Sequence, residues 1–586
     1  MKVSDYIVES LANEGIDTVF GYIGGAITHL VDSIDRSTRI RFIQTYHEQT
    51  AAFAAEGYAR VSGLPGVAIA TSGPGATNLI TGIGDAYFDS IPVVFITGQV
   101  NTYEYKYDKH IRQQGFQETD IVSIVRPITK YAVMVVDPKD IRLEIEKAFY
   151  IATEGRPGPV LLDIPMDIFR ASIEPLELRG FDVPTVPDGK DENAKISEVQ
   201  ALLATSHRPI ILAGGGVINA RAQKNLAAYV RATGIPIVAS LMGKGAFSED
   251  DPQYLGMIGS YGNRCANLAL ANADLLLAVG SRLDTRQTGP LIHGFVRSGK
   301  IVHVDIDANE ANEHRIQNKL NICMDAKVFL SSLSHSGNSY CVEPKWIAYI
   351  HQLRENYSQM AEVSRFVDNK SPYLAVDILN RLHDPNRMYF VDIGQNQMWA
   401  AQTLKITNNQ RFFTSGGMAP MGYAIPAAIG AAFSPSEKRN IVVITGDGGF
   451  QMATQALLLI SQYRLPIKVV VLNNQCLGMI TQFQDLYFNE NKAGTTKESG
   501  YLVPNIEQLA KAYSMDYYRV SADGLLNTVW LHQIFDAPAP SIIEILVGER
   551  TVVSPKLEFN SPLEDETPKL PREEFHEIML IDPYEP

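Results

Sequence analysis

Residues 441–450 read IVVITGDGGF and residues 467–474 read IKVVVLNN, with QMATQALLLISQYRLP between them. Two short apolar runs flank a segment whose length and apolar spacing predict a helix. The order is strand, acidic glycine turn, helix, strand, asparagine, which makes a βαβ unit. Right-handed crossover brings both strand ends to one edge of a parallel sheet, where open α/β folds collect their ligands. Asp447 and Asn474, 27 positions apart, therefore converge as two oxygen donors. Magnesium takes hard oxygen ligands and shares them with phosphates, while Gly446, Gly448 and Gly449 let backbone N–H groups come close to a diphosphate. The unit reads as a cradle for a diphosphate and a divalent cation.

The same alternation extends outward. TVFGY, RFIQTYH, GVAIATSGPG, IPVVFITGQ and PVLLDIP predict strands of a first doubly wound α/β domain over residues 1–172, and a Pro-, Asp- and Gly-rich stretch predicts a linker over 173–194. RPIILAGGG, IPIVASL, DLLLAVGSR and KIVHVDID predict a second such domain over 195–335. A polar loop and one helix fill 336–372, and MYFVDIG opens a third domain over 373–550. The expected fold is α/β, three doubly wound parallel-sheet domains in series. Residues 551–586, rich in proline and acids without a period, are expected to form an extended surface arm.

Composition narrows the function. In 586 residues, 45% are apolar and 20% charged, the profile of an ordinary globular protein. A net charge of −14 without a sustained basic run argues against a nucleic-acid partner. The four cysteines lack metal-ligand or disulfide spacing, which suits a reducing cytosol. The N-terminal helix pattern is acidic rather than leader-like, and no apolar run approaches the ~18 residues of a membrane span.

Far upstream, TYHEQTAAFAAEGYARVSG places Glu48 after a strand and at the start of a helix of small residues. Taken alone it is a surface acid that complements the helix dipole. Together, YHEQ…AEGYAR and GDG followed by NN resemble the thiamine-diphosphate enzymes. FGYIGGA, TSGPGATN, GFQETD, SLMGKGAF, GSRLDTRQTG, SGGMAPMGYAIPAAIG and NNQCLGMITQFQ narrow the resemblance to the acetolactate synthase group. The resemblance implies that Asp447, the Asn474 side chain and the Cys476 carbonyl hold Mg²⁺, with Gln395 and Asn396 placed for the diphosphate. It implies that Glu48 bonds the aminopyrimidine N1′ and favours the tautomer that takes the thiazolium C2 proton. Gly25 would lie beside that ring, Gln117 would point into the reaction chamber, and Met421 would support the bent cofactor. It further implies a central FAD-binding domain, with Gly215 and Gly216 of AGGG and with Arg156, Arg282, Asp305 and Asp325. Arg286 would grip an acceptor carboxylate.

The sequence also departs from the group. Ile23 stands for a proline, Ile258 for the histidine of GMHG beside Met257, Phe483 for a tryptophan that helps choose the acceptor, and Pro420 for a small residue. SYGNRCANL is about three residues longer than expected. The tail is similar to those of thiamine enzymes that attach an acetyl branch to nucleotide-linked ketosugars. The resemblance thus implies a cytosolic carboligase that takes pyruvate as donor and a second 2-oxo acid or a ketosugar as acceptor. A flavin-dependent pyruvate oxidase and a catalytically silent subunit are the competing readings. The group's assemblies imply a homodimer or homotetramer; any regulatory subunit is left open.

Overall fold

A computed structural model describes residues 1–184, 192–317, 319–335, 340–407, 409–435, 440–521, 524 and 528–584. Part of the 173–194 stretch expected as a linker lies outside the described residues. The described chain forms three six-stranded sheets, parallel throughout. The first orders its strands Arg41–Gln44, Thr18–Tyr22, Gly66–Ala70, Val93–Gln99, Val160–Pro165, Tyr131–Met134. The third follows the same pattern with Arg411–Phe413, Met388–Val391, Ile441–Gly446, Ile467–Asn473, Ser541–Leu546, Asp516–Val520. In both, numbering strands within the domain, the order is 2-1-3-4-6-5. The second sheet runs Lys319–Cys323, Lys300–Asp305, Leu275–Val279, Pro209–Ala213, Ile237–Ala239, Tyr254–Met257. Read from its other edge this is 3-2-1-4-5-6, the order of dinucleotide-binding sheets.

Every sheet therefore has a switch point where neighbouring strands leave in opposite directions, and there the loops part to open a crevice. In the first sheet it lies between Thr18–Tyr22 and Gly66–Ala70. In the second it lies between Pro209–Ala213 and Leu275–Val279, and in the third between Met388–Val391 and Ile441–Gly446. Register pairs Val391 with Ile444, so the chain leaves both strands at one level, with Asp392 beside Thr445 and Gly446.

The first and third domains share one apolar core. Its centre is the crossing of two helices, Glu48–Ser62 and Ala424–Phe433, both built from small residues. The backbones touch: a Cβ on Gly57 would lie 1.9 Å from the Ala427 carbonyl oxygen, and one on Gly430 would lie 1.7 Å from that of Ala54. Phe53 and Tyr423 flank the crossing edge to face at 5.5 Å. Beneath it, Arg60 donates to Thr414 O at 2.7 Å and Tyr423 Oη at 2.9 Å. Asp89 accepts from Gly416 N and Gly417 N at 2.9 and 2.8 Å, which ties the first domain to the loop that leads to Met421.

Three expectations need correction. The segment after residue 447 is not one helix behind a turn. A helix, Asp447–Met452, begins inside GDGGF, and a second, Leu457–Gln462, follows a single 3₁₀ turn. Residues 336–372 hold two helices among the described residues, Pro344–Asn356 and Gln359–Phe366, which bury Trp346, Ile350, Leu353 and Val363. The C-terminal residues are not a surface arm. Leu557, Leu563, Leu570, Phe575, Ile578 and Met579 enter the core of the middle domain, and Arg572–Ile578 is a helix.

The anchor of this tail is Arg264, which lies within the long SYGNRCANL segment. Arg264 is 1% exposed and pairs with both oxygens of Glu362, at 2.7 and 2.9 Å. It also donates to the carbonyls of Glu566 (3.2 Å) and Pro568 (2.6 Å). The lengthened segment and the unusual tail, two separate departures in sequence, are thus one structural feature.

Candidate active site

In the first domain the predicted residues gather around the turn 71–75 that leaves Gly66–Ala70. Thr71 Oγ1 accepts the Ala26 N–H at 3.2 Å, which places Gly25 at its rim. A Cβ on Gly75 would lie 3.2 Å from Glu48 Oε1, and one on Gly73 (φ +63°) would lie 3.0 Å from Gln117 Cβ. Glu48 opens its helix, as expected, and is 7% exposed. Asn78 Nδ2 donates to its Oε2 at 2.9 Å, while its Oε1 accepts no hydrogen bond among the described residues. Gln117 itself has φ +63°, a left-handed conformation held by the loop around it. One carboxylate oxygen thus stays open at the edge of a crevice shared with Gly25 and Gln117.

In the third domain Asp447, Asn474 and Cys476 meet as the βαβ geometry requires. Asp447 Oδ2 accepts the N–H groups of Asn474 (3.1 Å) and Gln475 (2.8 Å), and Oδ1 accepts the Tyr501 hydroxyl at 2.5 Å. Burial pushes the Asp447 carboxyl above its ordinary range, and these donors pull it back. The Asn474 carboxamide lies 2.8 Å from Cys476 O and 3.1 Å from Asp447 Oδ2. With its nitrogen inward it donates to both oxygens; with Oδ1 inward three acceptors converge, an arrangement that demands a cation. Mg²⁺ ligands at about 2.0–2.1 Å in an octahedron place neighbouring oxygens about 2.9 Å apart. The donor set therefore fits Mg²⁺. One carboxylate and two neutral oxygens would fill three positions of an octahedron and leave the others for phosphate oxygens and water.

Around this triad, Gln395 Oε1 accepts Thr551 Oγ1 at 2.7 Å, and its Nε2 donates to Gln482 Oε1 at 3.1 Å. Asn396 Nδ2 donates to Asp392 O at 2.6 Å. Gly446 faces Asn396 Oδ1, Gly449 faces Asp392 Oδ1, and Met421 lies over Gly448, where any side chain would collide with it. Asp392 had no assigned role from sequence. It accepts from Ile393 N, Gly422 N and Ala424 N at 2.8–3.0 Å and so fixes the loop of Met421 to the switch point. Burial raises its pKa to about 6 against those three donors. An acid directly after MYFV is the signal that could have found it. Tyr501 and Thr551 carry no local signal, since only the tertiary structure brings them to the triad.

The middle domain contributes a cavity of about 340 Å³. At its switch point Gly214 and Gly216 press against Gly280 so closely that Cβ atoms would lie 2.0 and 2.7 Å from Gly280 atoms. Gly215, Gly216, Arg156, Arg282, Asp305 and Asp325 all line the cavity, as do Met257 and Arg286. Arg156 is already paired with Glu310 at 2.7 Å and Asp307 at 3.3 Å. Asp325 Oδ1 caps a helix through Lys327 N and Val328 N. Arg286 lies over the Tyr261 ring at 5.5 Å and has no carboxylate partner among the described residues. Phe483 does not line this cavity. It sits in an aromatic group with Tyr487 (4.9 Å) and with Phe559 of the tail (5.8 Å). No hydrogen bond, ion pair or ring contact among the described residues joins the Glu48 group to the Asp447 triad within one chain.

Comparison with known proteins finds three matches in series along the chain. Residues 1–124 match the model "Thiamine pyrophosphate enzyme, N-terminal TPP binding domain", 196–333 the central domain and 392–545 the C-terminal TPP binding domain. Acetolactate synthase 1, chloroplastic, of Nicotiana tabacum is 37% identical over 578 residues, which cover 96% of this chain and 84% of that protein. The probable acetolactate synthase large subunit of Methanocaldococcus jannaschii is 35% identical over 610 residues, covering 99% and 98%. Among the described residues no helix is long and apolar enough to cross a membrane.

Proposed function

Because the chain belongs to the thiamine-pyrophosphate enzymes, as one of the acetolactate synthase type, we propose that it decarboxylates pyruvate and transfers the two-carbon unit to a carbonyl acceptor. Thiamine diphosphate, when bound, supplies the nucleophilic carbon and the electron sink. The chain's own residues bind and orient it. Asp447, Asn474 and the Cys476 carbonyl would hold Mg²⁺, and Gln395, Asn396, Gly446, Gly448 and Gly449 would hold the diphosphate. Glu48, with one oxygen fixed by Asn78, would hold the aminopyrimidine nitrogen beside Gly25 and exchange a proton with it. Gln117 would line the reaction chamber, and Met421, packed over Gly448, would support the bound cofactor. The observation that carries this reading is the convergence of three oxygen donors at the C-terminal ends of Ile441–Gly446 and Ile467–Asn473 and one buried open carboxylate beside the first switch point.

Among the described residues no hydrogen bond, ion pair or ring contact joins the two groups within one chain, which favours a shared site between subunits of a homodimer or homotetramer. The 3-2-1-4-5-6 order and the glycine contact of the middle sheet favour FAD, held by Arg156, Gly215, Gly216, Arg282, Asp305 and Asp325. Four free cysteines suit the cytosol. Arg286, which has no carboxylate partner among the described residues and lines the cavity together with Met257, favours a 2-oxo acid acceptor. The aromatic group around Phe483 and the tail's Phe559 favours a larger one, such as a nucleotide-linked ketosugar. Labelled pyruvate, supplied with thiamine diphosphate and Mg²⁺ against a panel of 2-oxo acids, aldehydes and nucleotide ketosugars, tests the whole. CO₂ release should fall by about 10²–10⁴-fold in Glu48→Gln. A Glu48→Gln enzyme as active as the parent would refute the assignment.

A further inference from the structure

The two oxygens of Asp447 are in different surroundings. Oδ2 faces the Asn474 amide and is held by the N–H groups of Asn474 and Gln475. Oδ1 points away from the triad and takes the Tyr501 hydroxyl at 2.5 Å. The phenol reaches it over Gly448, where a Cβ would come within 3.0 Å of Tyr501 Oη. Its delivery is built into a compact turn. Ser499 Oγ accepts from Thr495 N and Thr496 N at 3.0 and 2.9 Å, Gly500 turns the chain with φ +100°, and Tyr501 N donates to Thr496 O at 2.9 Å. The turn is joined to the metal-side loop, since Leu477 N donates to Thr495 O at 2.9 Å and Thr495 Oγ1 donates to Gln484 Oε1 at 2.7 Å.

We propose that Tyr501 is a positioning residue for the divalent cation: by occupying Oδ1 it makes Asp447 a one-oxygen ligand through Oδ2. The proposal rests on the reading of Asp447 as a metal ligand. A carboxylate that binds through both oxygens suits Ca²⁺, which accepts crowded and irregular shells. Mg²⁺ demands a near-ideal octahedron and keeps its remaining positions for water and phosphate. With Oδ1 engaged, the carboxylate cannot swing to two-oxygen binding, so Tyr501 both tightens Mg²⁺ binding and selects against Ca²⁺. Partners of metal ligands typically change affinity about 10–100-fold when removed.

The test is Tyr501→Phe in the full-length protein, titrated with Mg²⁺ and separately with Ca²⁺ at saturating thiamine diphosphate. Binding is followed by calorimetry and by the metal-induced rise in melting temperature. The Mg²⁺ Kd should rise about 10–100-fold, the Mg²⁺/Ca²⁺ preference should fall, and kcat at saturating Mg²⁺ should persist. Unchanged or tighter Mg²⁺ binding overturns the proposal, as does a lower metal-free melting temperature with the ion preference intact, which marks a purely structural contact. Asp447→Asn in the same assay separates the two layers. If it leaves Mg²⁺ dependence intact, the metal reading itself fails; if it abolishes that dependence while Tyr501→Phe does nothing, only the role of Tyr501 fails.

Discussion

Gly57→Ala discriminates sharply, because two effects of known size oppose each other. Gly57 lies inside the helix Glu48–Ser62, and alanine in a helix interior is favoured over glycine by about 1 kcal/mol. Were the site open, the variant would be more stable. In the structure the added Cβ would lie 1.9 Å from the Ala427 oxygen, 2.6 Å from its carbonyl carbon and 2.8 Å from its Cα. Ordinary contact begins near 3.4 Å, so this helix and Ala424–Phe433 would have to separate by about 1.5 Å. Overpacking of this kind costs about 1–3 kcal/mol, and the upper end applies because the obstacle is backbone rather than a side chain that can turn away. The net effect is a loss of about 2 kcal/mol, or roughly 30-fold in the folding ratio. Urea unfolding at fixed protein concentration measures it, and the midpoint should fall with an unchanged slope. Thiamine diphosphate binding should weaken as well, since the loop that carries Met421 and Tyr423 leads directly into Ala424–Phe433. A variant stabilised by about 1 kcal/mol would show that the helices do not meet at Gly57 and would refute the packing argument.

Two further outcomes follow from buried charge. Arg264→Ala leaves Glu362 buried without its partner and frees the Glu566 and Pro568 carbonyls, so stability should fall by about 3–5 kcal/mol; limited proteolysis should then cut first within residues 554–570, and unchanged protection there would contradict the anchoring role. Asp163 is pushed up to about 7 by burial, against hydrogen bonds from Thr97 (2.7 Å) and Gln99 (2.9 Å). Its folded pKa lies above its unfolded one, so the native state holds the extra proton and stability declines as pH rises from about 4 to about 7, by up to about 1.4 kcal/mol per pH unit. Asp163→Asn should remove that part of the slope in urea midpoints measured across the window, and an identical slope would assign it to other groups.

The fold class and the meeting of Asp447 with Asn474 were legible because both rest on local pattern plus one chirality rule. Central strands buried on both faces are continuous apolar runs, and a βαβ crossover has one hand, so GDG and NN had to meet at one sheet edge. Of the first sheet's edge strands, Arg41–Gln44 was legible in RFIQTYH, but most edge strands were not. Tyr131–Met134 is half-buried along its length and Asp516–Val520 mixes exposed and buried positions, which leaves no run to read. The tail failed for a related reason. Its apolar residues are spaced by prolines and acids without a period, and they become core only because Arg264 and the middle domain supply a surface for them. Short-range order, set by side-chain period and backbone sterics, was determined by the sequence alone. The identity of Tyr501 and Thr551 as neighbours of the site was decided by long-range packing, because contacts across tens to hundreds of residues depend on which surfaces the finished domains present to one another.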